Sequence, residues 1–232
     1  MADLPAIPVI VAIDGPSGTG KSSTSKAVAS RMELGYLDTG AQYRAMTWWM
    51  LANGIDVDDP AAVAAAAAKP TIVSGTDPKA PTITVDGTDV SGPIRGREVT
   101  AAVSAVSAVP EVRTRITELQ RSIAAEAPVG IVVEGRDIGT TVLPDADIKV
   151  FLTASPEARA ARRSAELKGR ESADVAATRA ALIKRDAADS GRKTSPLAKA
   201  DDAIEVDTTE LSLPQVIECV VTLIEERKRR GR

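Results

Sequence analysis

The sequence contains no histidine, which removes any imidazole-based zinc site, Ser-His triad or Cys-His dyad. Its single cysteine, Cys219, has no partner for an internal disulfide and fits a reducing cytoplasm. Aromatic residues make up only 2%, too few to stack the bases of a single strand. Neither sign of charge dominates. With 29 basic and 32 acidic residues, the chain lacks the positive excess that general nucleic-acid binding requires. No apolar run reaches membrane-spanning length. The N-terminal "MADLPAIPVIVAIDG" has no basic region ahead of its apolar run, so it reads as a first strand and not as a signal peptide. What is present, over 232 residues, is the composition of an ordinary soluble globular protein, long enough for one sizeable core with small appended lobes.

Short β-branched runs alternate with helical patterns. Strands are expected at Ile7–Asp14, Tyr36–Asp38, Gly130–Val133, Ile148–Leu152 and Ala203–Val206. Helices are expected at 21–33, at 40–52 behind a cap at Asp38 or Thr39, and after Asp59-Pro60. Thr82–Val85 and Thr88–Val90 flank Asp86-Gly87, a hairpin signal. Pro110 opens a helix with Val112, Ile116, Leu119 and Ile123 on its apolar face. Ser155-Pro156-Glu157 starts an arginine-rich helix, and Ser172 caps another that reaches to about Asp189. Ser212–Gln215 forms a capping box for a last helix buried through Val216, Ile217, Val220, Val221 and Ile224. Cys219 reads as a packing residue of that helix, and the terminal "RKRRGR" as a solvated tail. Alternating strands and helices predict an α/β fold: a three-layer core with a parallel sheet, and insertions after Thr39 and after Ser155.

Between the first strand and first helix lies "GPSGTGKS", Gly15 to Ser22, which fits G-x-x-x-x-G-K-[ST] in its required context. Glycines let backbone N–H groups curl around a phosphate, and the helix N-terminus adds its positive end. Lys21 then reaches the β- and γ-phosphates, and Ser22 is placed to ligate Mg²⁺. The chain has no Asn-Lys-x-Asp base-reading motif of a GTPase switch. Its size suits phosphoryl transfer to a small molecule better than a motor.

An anionic acceptor needs arginines to neutralise phosphates that repel one another. Candidates are Arg44, Arg113, Arg136, the helix residues Arg159, Arg162, Arg163 and Arg170, and the pair Arg185 and Arg192. Arg136 lies just past a strand's C-terminal end, where open α/β sheets bind ligands. Arg185, Asp189 and Arg192 are spaced to share one helix face. "EGRDIGT", Glu134 to Thr140, offers two acids, Glu134 and Asp137, either of which is placed to serve a metal.

The pieces "IDGPSGTGKSS", "YLDTGAQYR", "VDGTDVSGPIRGREVTAAVSAVSAVPEVR", "VEGRDIGTTVLPDADIKVFLTAS" and "KRDAADSGRKTSPLAKADDAIEVDTTELS" run in order over nearly the whole chain. On these the chain resembles the bacterial cytidylate (CMP) kinases, in the nucleoside monophosphate kinase group of P-loop proteins. The resemblance implies a core of about 1–38, 102–155 and 190–232, an NMP-binding lobe with a small β insertion at about 39–101, and a helical lid at about 156–189. It implies that Gly15, Pro16, Ser17, Gly18, Thr19, Gly20, Lys21, Ser22 and Ser23 hold ATP. Arg44, Arg136 and Arg192 would clamp the acceptor phosphate, and Arg185 and Asp189 would contact the ribose and phosphate region. Ser104, Arg113 and Asp137 would read cytosine, with Thr39 and Tyr43 in the same acceptor site. Arg159 and Arg163 are the lid arginines placed for catalysis beside Lys21 and Arg136. On this reading Glu134 serves Mg²⁺ through water, and Asp137 faces the cytosine amino group. Thr39 stands where serine is common in the family, Glu134 where aspartate is common, and Ala188 and Ser190 replace charged lid residues.

The expected reaction is ATP with CMP or dCMP to ADP with CDP or dCDP, in the cytoplasm, by a monomer with no nucleic-acid or membrane partner. The alternatives are a P-loop kinase for another small acceptor, such as a nucleoside or a shikimate-like acid, and a non-catalytic nucleotide sensor.

Overall fold

The computed structural model describes residues 8–167, 175–192 and 194–230. Ile7, Arg170 and Ser172, assigned above to a strand start, a basic helix and a helix cap, lie outside the described residues. The strands are β1 (Val9–Asp14), β2 (Gly35–Asp38), β3 (Ile72–Ser74), β4 (Ile83–Val85), β5 (Thr88–Asp89), β6 (Gly130–Glu134), β7 (Ile148–Thr153) and β8 (Ile204–Asp207). The helices are α1 (Lys21–Arg31), α2 (Thr39–Ala52), α3 (Pro60–Ala66), α4 (Arg97–Val106), α5 (Pro110–Ala125), α6 (Pro156–Leu167), α7 (Val175–Ser190) and α8 (Leu213–Arg230). Five strands form a sheet in the order β2-β6-β1-β7-β8, the parallel sheet that the alternation predicts, and β3-β4-β5 form a second, antiparallel one. Among the described residues no helix is long and apolar enough to cross a membrane.

The chain divides into two compact units, one running through Ile10 and from Ala29 to Val133, the other comprising Val11–Val28 and continuing from Glu134. In the first, α2 is the central element. Asp38 caps it, its carboxylate accepting from Ala41 N at 3.0 Å. Tyr43, Met46 and Met50 of α2 pack with Val63, Val85, Ile94, Val103 and Ile116 into one apolar core. The hairpin turns at Asp86 (φ 49°) and Gly87 (φ 79°), the left-handed pair that a two-residue type I′ turn requires. Asp86 does a second job there, accepting from Thr71 N and from Trp49 Nε1, each at 2.8 Å, which ties the hairpin to α2. The third strand, β3, is only three residues long and carried no periodic signal.

Helix α5 differs from its expected face. Val112 and Ile116 are buried, but the buried row continues through Gln120 and Ala124, with Arg113 beside it, and leaves Leu119 and Ile123 half-buried. This is an i, i+4 row, the ridge a helix offers when it packs at an angle, here against α2 and α3.

In the second unit β1 pairs with β7 from Val11↔Ile148 to Asp14↔Phe151, and β7 pairs with β8 from Val150↔Ile204 to Thr153↔Asp207. Helix α8 packs on β7 through the expected apolar face: Val216, Val220, Val221 and Ile224 are buried and Ile217 is half-buried. Half of its capping box forms: Gln215 Oε1 accepts from Ser212 N at 2.9 Å, while the serine hydroxyl also donates to it at 2.7 Å. Cys219 is half-buried in α8. Helices α6 and α7 pack on each other. A one-turn π-helix at Ile138–Val142 follows the Glu134–Asp137 stretch, a feature often found at functional sites and invisible to periodicity.

Candidate active site

The phosphate loop leaves β1 at Asp14 and enters α1 at Lys21. Gly15 (φ 143°) lies against β7, where an added Cβ would meet Leu152 O at 2.2 Å. A Cβ on Gly18 would lie 3.1 Å from Arg159 Cβ, so the loop packs directly on α6. Lys21 is 7% exposed, and its Nζ donates to Gly15 O at 2.8 Å and Pro16 O at 2.7 Å. Burial pushes its pKa well below the ordinary lysine range. The Arg136 charge adds to this, while Glu134 and Asp14 oppose it. Ser22 Oγ donates to Glu134 Oε2 at 3.0 Å. These two hard oxygen donors, adjoining at the loop, fit Mg²⁺, which takes one or two protein oxygens and fills its shell with water and phosphate. Among the described residues no closed group of three or more acidic or soft ligands is gathered.

Around Ser17 the second unit builds a charged network. Arg136 Nη2 donates to Ser17 Oγ at 2.6 Å, and Arg136 Nε donates to Asp189 Oδ2 at 3.1 Å. Asp189, only 2% exposed, also pairs with Arg192. Asp186 accepts from Ser17 N at 3.1 Å and pairs with Arg159, whose Nη1 donates to Ser17 O at 3.2 Å as well. Thus Arg136, Arg159, Asp189 and Arg192 come together at the loop. Arg185 lies close enough for its charge to act on Lys21, and Arg163 is half-buried one turn beyond Arg159. Arg185 and Asp189 keep their i, i+4 spacing within α7, but Arg192 does not share the helix. Helix α7 ends at Ser190, where Gly191 N closes the last turn on Ala187 O, and Arg192 reaches Asp189 from the following segment. Arg162 is committed elsewhere: it donates to Thr208 Oγ1 and Thr208 O, and the Thr208 hydroxyl lies 3.2 Å from Thr19 O and 2.9 Å from Thr153 O.

In the first unit the Arg113 guanidinium lies 5.3 Å from the centroid of the Tyr43 ring and donates to Ser107 O at 3.2 Å. Ser104, half-buried on α4, accepts at its carbonyl from Ser107 Oγ at 3.2 Å. Arg44 joins α2 to α4 by donating to Thr100 Oγ1 at 2.9 Å and also reaches Ile94 O at 3.2 Å. Thr39 is buried in the first turn of α2.

Sequence reasoning missed Asp14, Asp186 and Thr208. Asp186 had one signal, its place three residues before Asp189. Its tie to Arg159 spans 27 residues and had none. Asp14 accepts from Ile138 N at 2.9 Å and Gly139 N at 2.7 Å, which fastens the loop to the π turn. Burial raises the Asp14 pKa to about 6 against both hydrogen bonds, and the Asp137 charge adds to the rise. The native state therefore holds this proton between the unfolded value of 3.8 and about 6, so the stabilisation is present at low pH and lost as pH rises through about 6. Its size is on the order of 3 kcal/mol. In thermal melts at pH 4.5–7.5, wild type should lose stability relative to Asp14→Asn as pH rises towards about 6 and stay level above it. A pH-independent gap would show an ordinary carboxylate.

The profile of the cytidylate kinase family matches residues 11–226, all but the ends of the chain. The chain belongs to the cytidylate kinase family. The cytidylate kinase of Streptomyces coelicolor is 81% identical over 220 residues, covering 95% of this chain and 94% of that protein. That of Streptomyces avermitilis is 79% identical over the same span and shares. That of Nocardia farcinica is 54% identical over 212 residues, 91% of each chain. A crystal structure of an uncharacterized protein from Eubacterium ventriosum shares the fold at a TM-score of 0.50 with 13% identity, over 95% of this chain and 99% of that one.

Proposed function

We propose that the chain transfers the γ-phosphoryl group of ATP to CMP and dCMP, giving ADP with CDP or dCDP. The observation that carries this reading is the 2.6 Å bond from Arg136 to Ser17 Oγ. It joins an arginine assigned to the acceptor phosphate to the loop assigned to ATP. The acceptor phosphate has a second pKa near 6, so at neutral pH it is already an anion and needs no strong general base. A P–O bond forms from its oxygen to the γ-phosphorus as the bond to the β-bridging oxygen breaks. The protein's share is alignment and charge neutralisation.

In this reading the loop from Gly15 to Ser23 binds ATP, and Lys21 serves its outer phosphates. Arg44, Arg136 and Arg192 take the acceptor phosphate, Arg185 and Asp189 the ribose side, and Ser104, Arg113 and Asp137 the cytosine edge, with Thr39 and Tyr43 beside them. Arg159 and Arg163 act from the lid. Mg²⁺ held by Ser22 and, through water, by Glu134 would offset phosphate charge. The core, NMP-binding lobe and lid are those of the sequence boundaries, and the enzyme is a cytoplasmic monomer of pyrimidine nucleotide metabolism.

A coupled ADP assay with CMP, dCMP, UMP, AMP and shikimate tests the reading. Turnover is expected with CMP and dCMP. UMP puts a carbonyl opposite Asp137, which costs about 2–4 kcal/mol, or roughly 30- to 1,000-fold in kcat/KM. Equal rates with UMP and CMP would remove Asp137 as the base reader. ADP formed without any acceptor at the full rate would point to an ATPase, and none with any acceptor to a sensor.

A further inference from the structure

Asp186 lies in the "KRDAADSG" piece but was given no role there, yet it touches the phosphate loop and a candidate catalytic arginine at once. Its Oδ1 accepts from Ser17 N at 3.1 Å, and its Oδ2 pairs with Arg159 Nη1. The same Nη1 donates to Ser17 O at 3.2 Å. One residue of the loop is thus held on both its amide and its carbonyl, by a carboxylate from α7 and a guanidinium from α6, and the two holders are paired to each other. Arg159 is 7% exposed. Its Nε–H is buried and makes no hydrogen bond among the described residues. A buried guanidinium donor without an acceptor is costly, and a phosphate oxygen is the acceptor that such a donor suits best.

We propose that Asp186 is a positioning residue. It fixes Arg159 Nη1 against the loop and so reserves the Nε–H for an oxygen of the phosphoryl group in transfer. Packing supports the arrangement, since the loop meets α6 at Arg159 itself, 3.1 Å from where a Gly18 Cβ would stand. The inference rests on the reading of Arg159 as a phosphate-facing lid arginine.

A double-mutant cycle tests it, with Asp186→Asn, Arg159→Met and the pair assayed at saturating ATP across a CMP titration. Each single variant is expected to lower kcat about 10- to 100-fold, the loss typical of a misplaced catalytic group, with KM for CMP within about twofold. The double variant should be no slower than Arg159→Met alone. Asp186→Glu, which keeps the charge on a longer arm, should recover part of the loss. Multiplicative losses in the pair, or an Asp186→Asn rate equal to wild type beside a slow Arg159→Met, overturn the role of Asp186 alone. Wild-type turnover in Arg159→Met overturns the reading of Arg159 and the inference with it. If Asp186→Asn does not fold, Asp186→Ser takes its place in the cycle.

Discussion

Lys21→Met should lower turnover about 10²- to 10³-fold while the protein stays folded. The size of the effect follows from what the ammonium does in transfer. On the proposed reaction it is a positive charge beside phosphates whose charge shifts, where one such donor contributes about 3–4 kcal/mol. The absence of unfolding follows from the native contacts. Lys21 is a buried cation that donates to two loop carbonyls, and its environment already disfavours the charged form. Methionine matches the stem of the side chain and removes the cost of burying a charge, so the two stability terms largely offset. Steady-state turnover and a thermal melt on the same preparation check both halves. A wild-type rate would take the loop out of the mechanism.

Gly15→Ala is expected to be the most destabilising single methyl in the loop, at roughly 3–5 kcal/mol. Two independent costs meet there. The backbone sits at φ 143°, a conformation that L side chains rarely adopt. The new Cβ would also stand 2.2 Å from Leu152 O, a backbone atom of a strand paired on both sides, which cannot swing away as a side-chain end would. Gly92→Ala is the control, since Gly92 has φ -82° and nothing within 4 Å of its Cβ position. It should change stability by less than about 0.5 kcal/mol. Denaturant midpoints for the two variants measure the contrast. A Gly15→Ala protein as stable as wild type would mean that β7 and the loop can separate at little cost.

Much of the fold was legible because its signals are local. A β-branched run, a cap residue or an Asp-Gly turn acts within a few residues, so β1, α2 and the hairpin appear close to their expected places. Errors arose where a distant partner set the outcome. The fully buried row of α5 was chosen by the helices it packs against: Gln120 and Ala124 join it, while Leu119 packs on the core half-buried and Ile123 is half-buried. Strand β3 is too short for a period of its own, and its ladder with β4 sets its extent.

The site divides along the same line. Sequence alone established the loop from Gly15 to Ser22, the supply of arginines and the two acids of Glu134–Asp137, because those motifs are contiguous and their chemistry follows from residue type. Tertiary structure decided which charges meet. It set Glu134 beside Ser22, joined Arg136 to Ser17, and brought Asp186 to Arg159. It also spent Arg162 on Thr208 and buried Asp14 under the π turn, where its proton is held to about pH 6. The physical reason is range. Backbone propensity and motif geometry are fixed within a few residues, whereas burial and charge pairing depend on which segments the folded chain packs together.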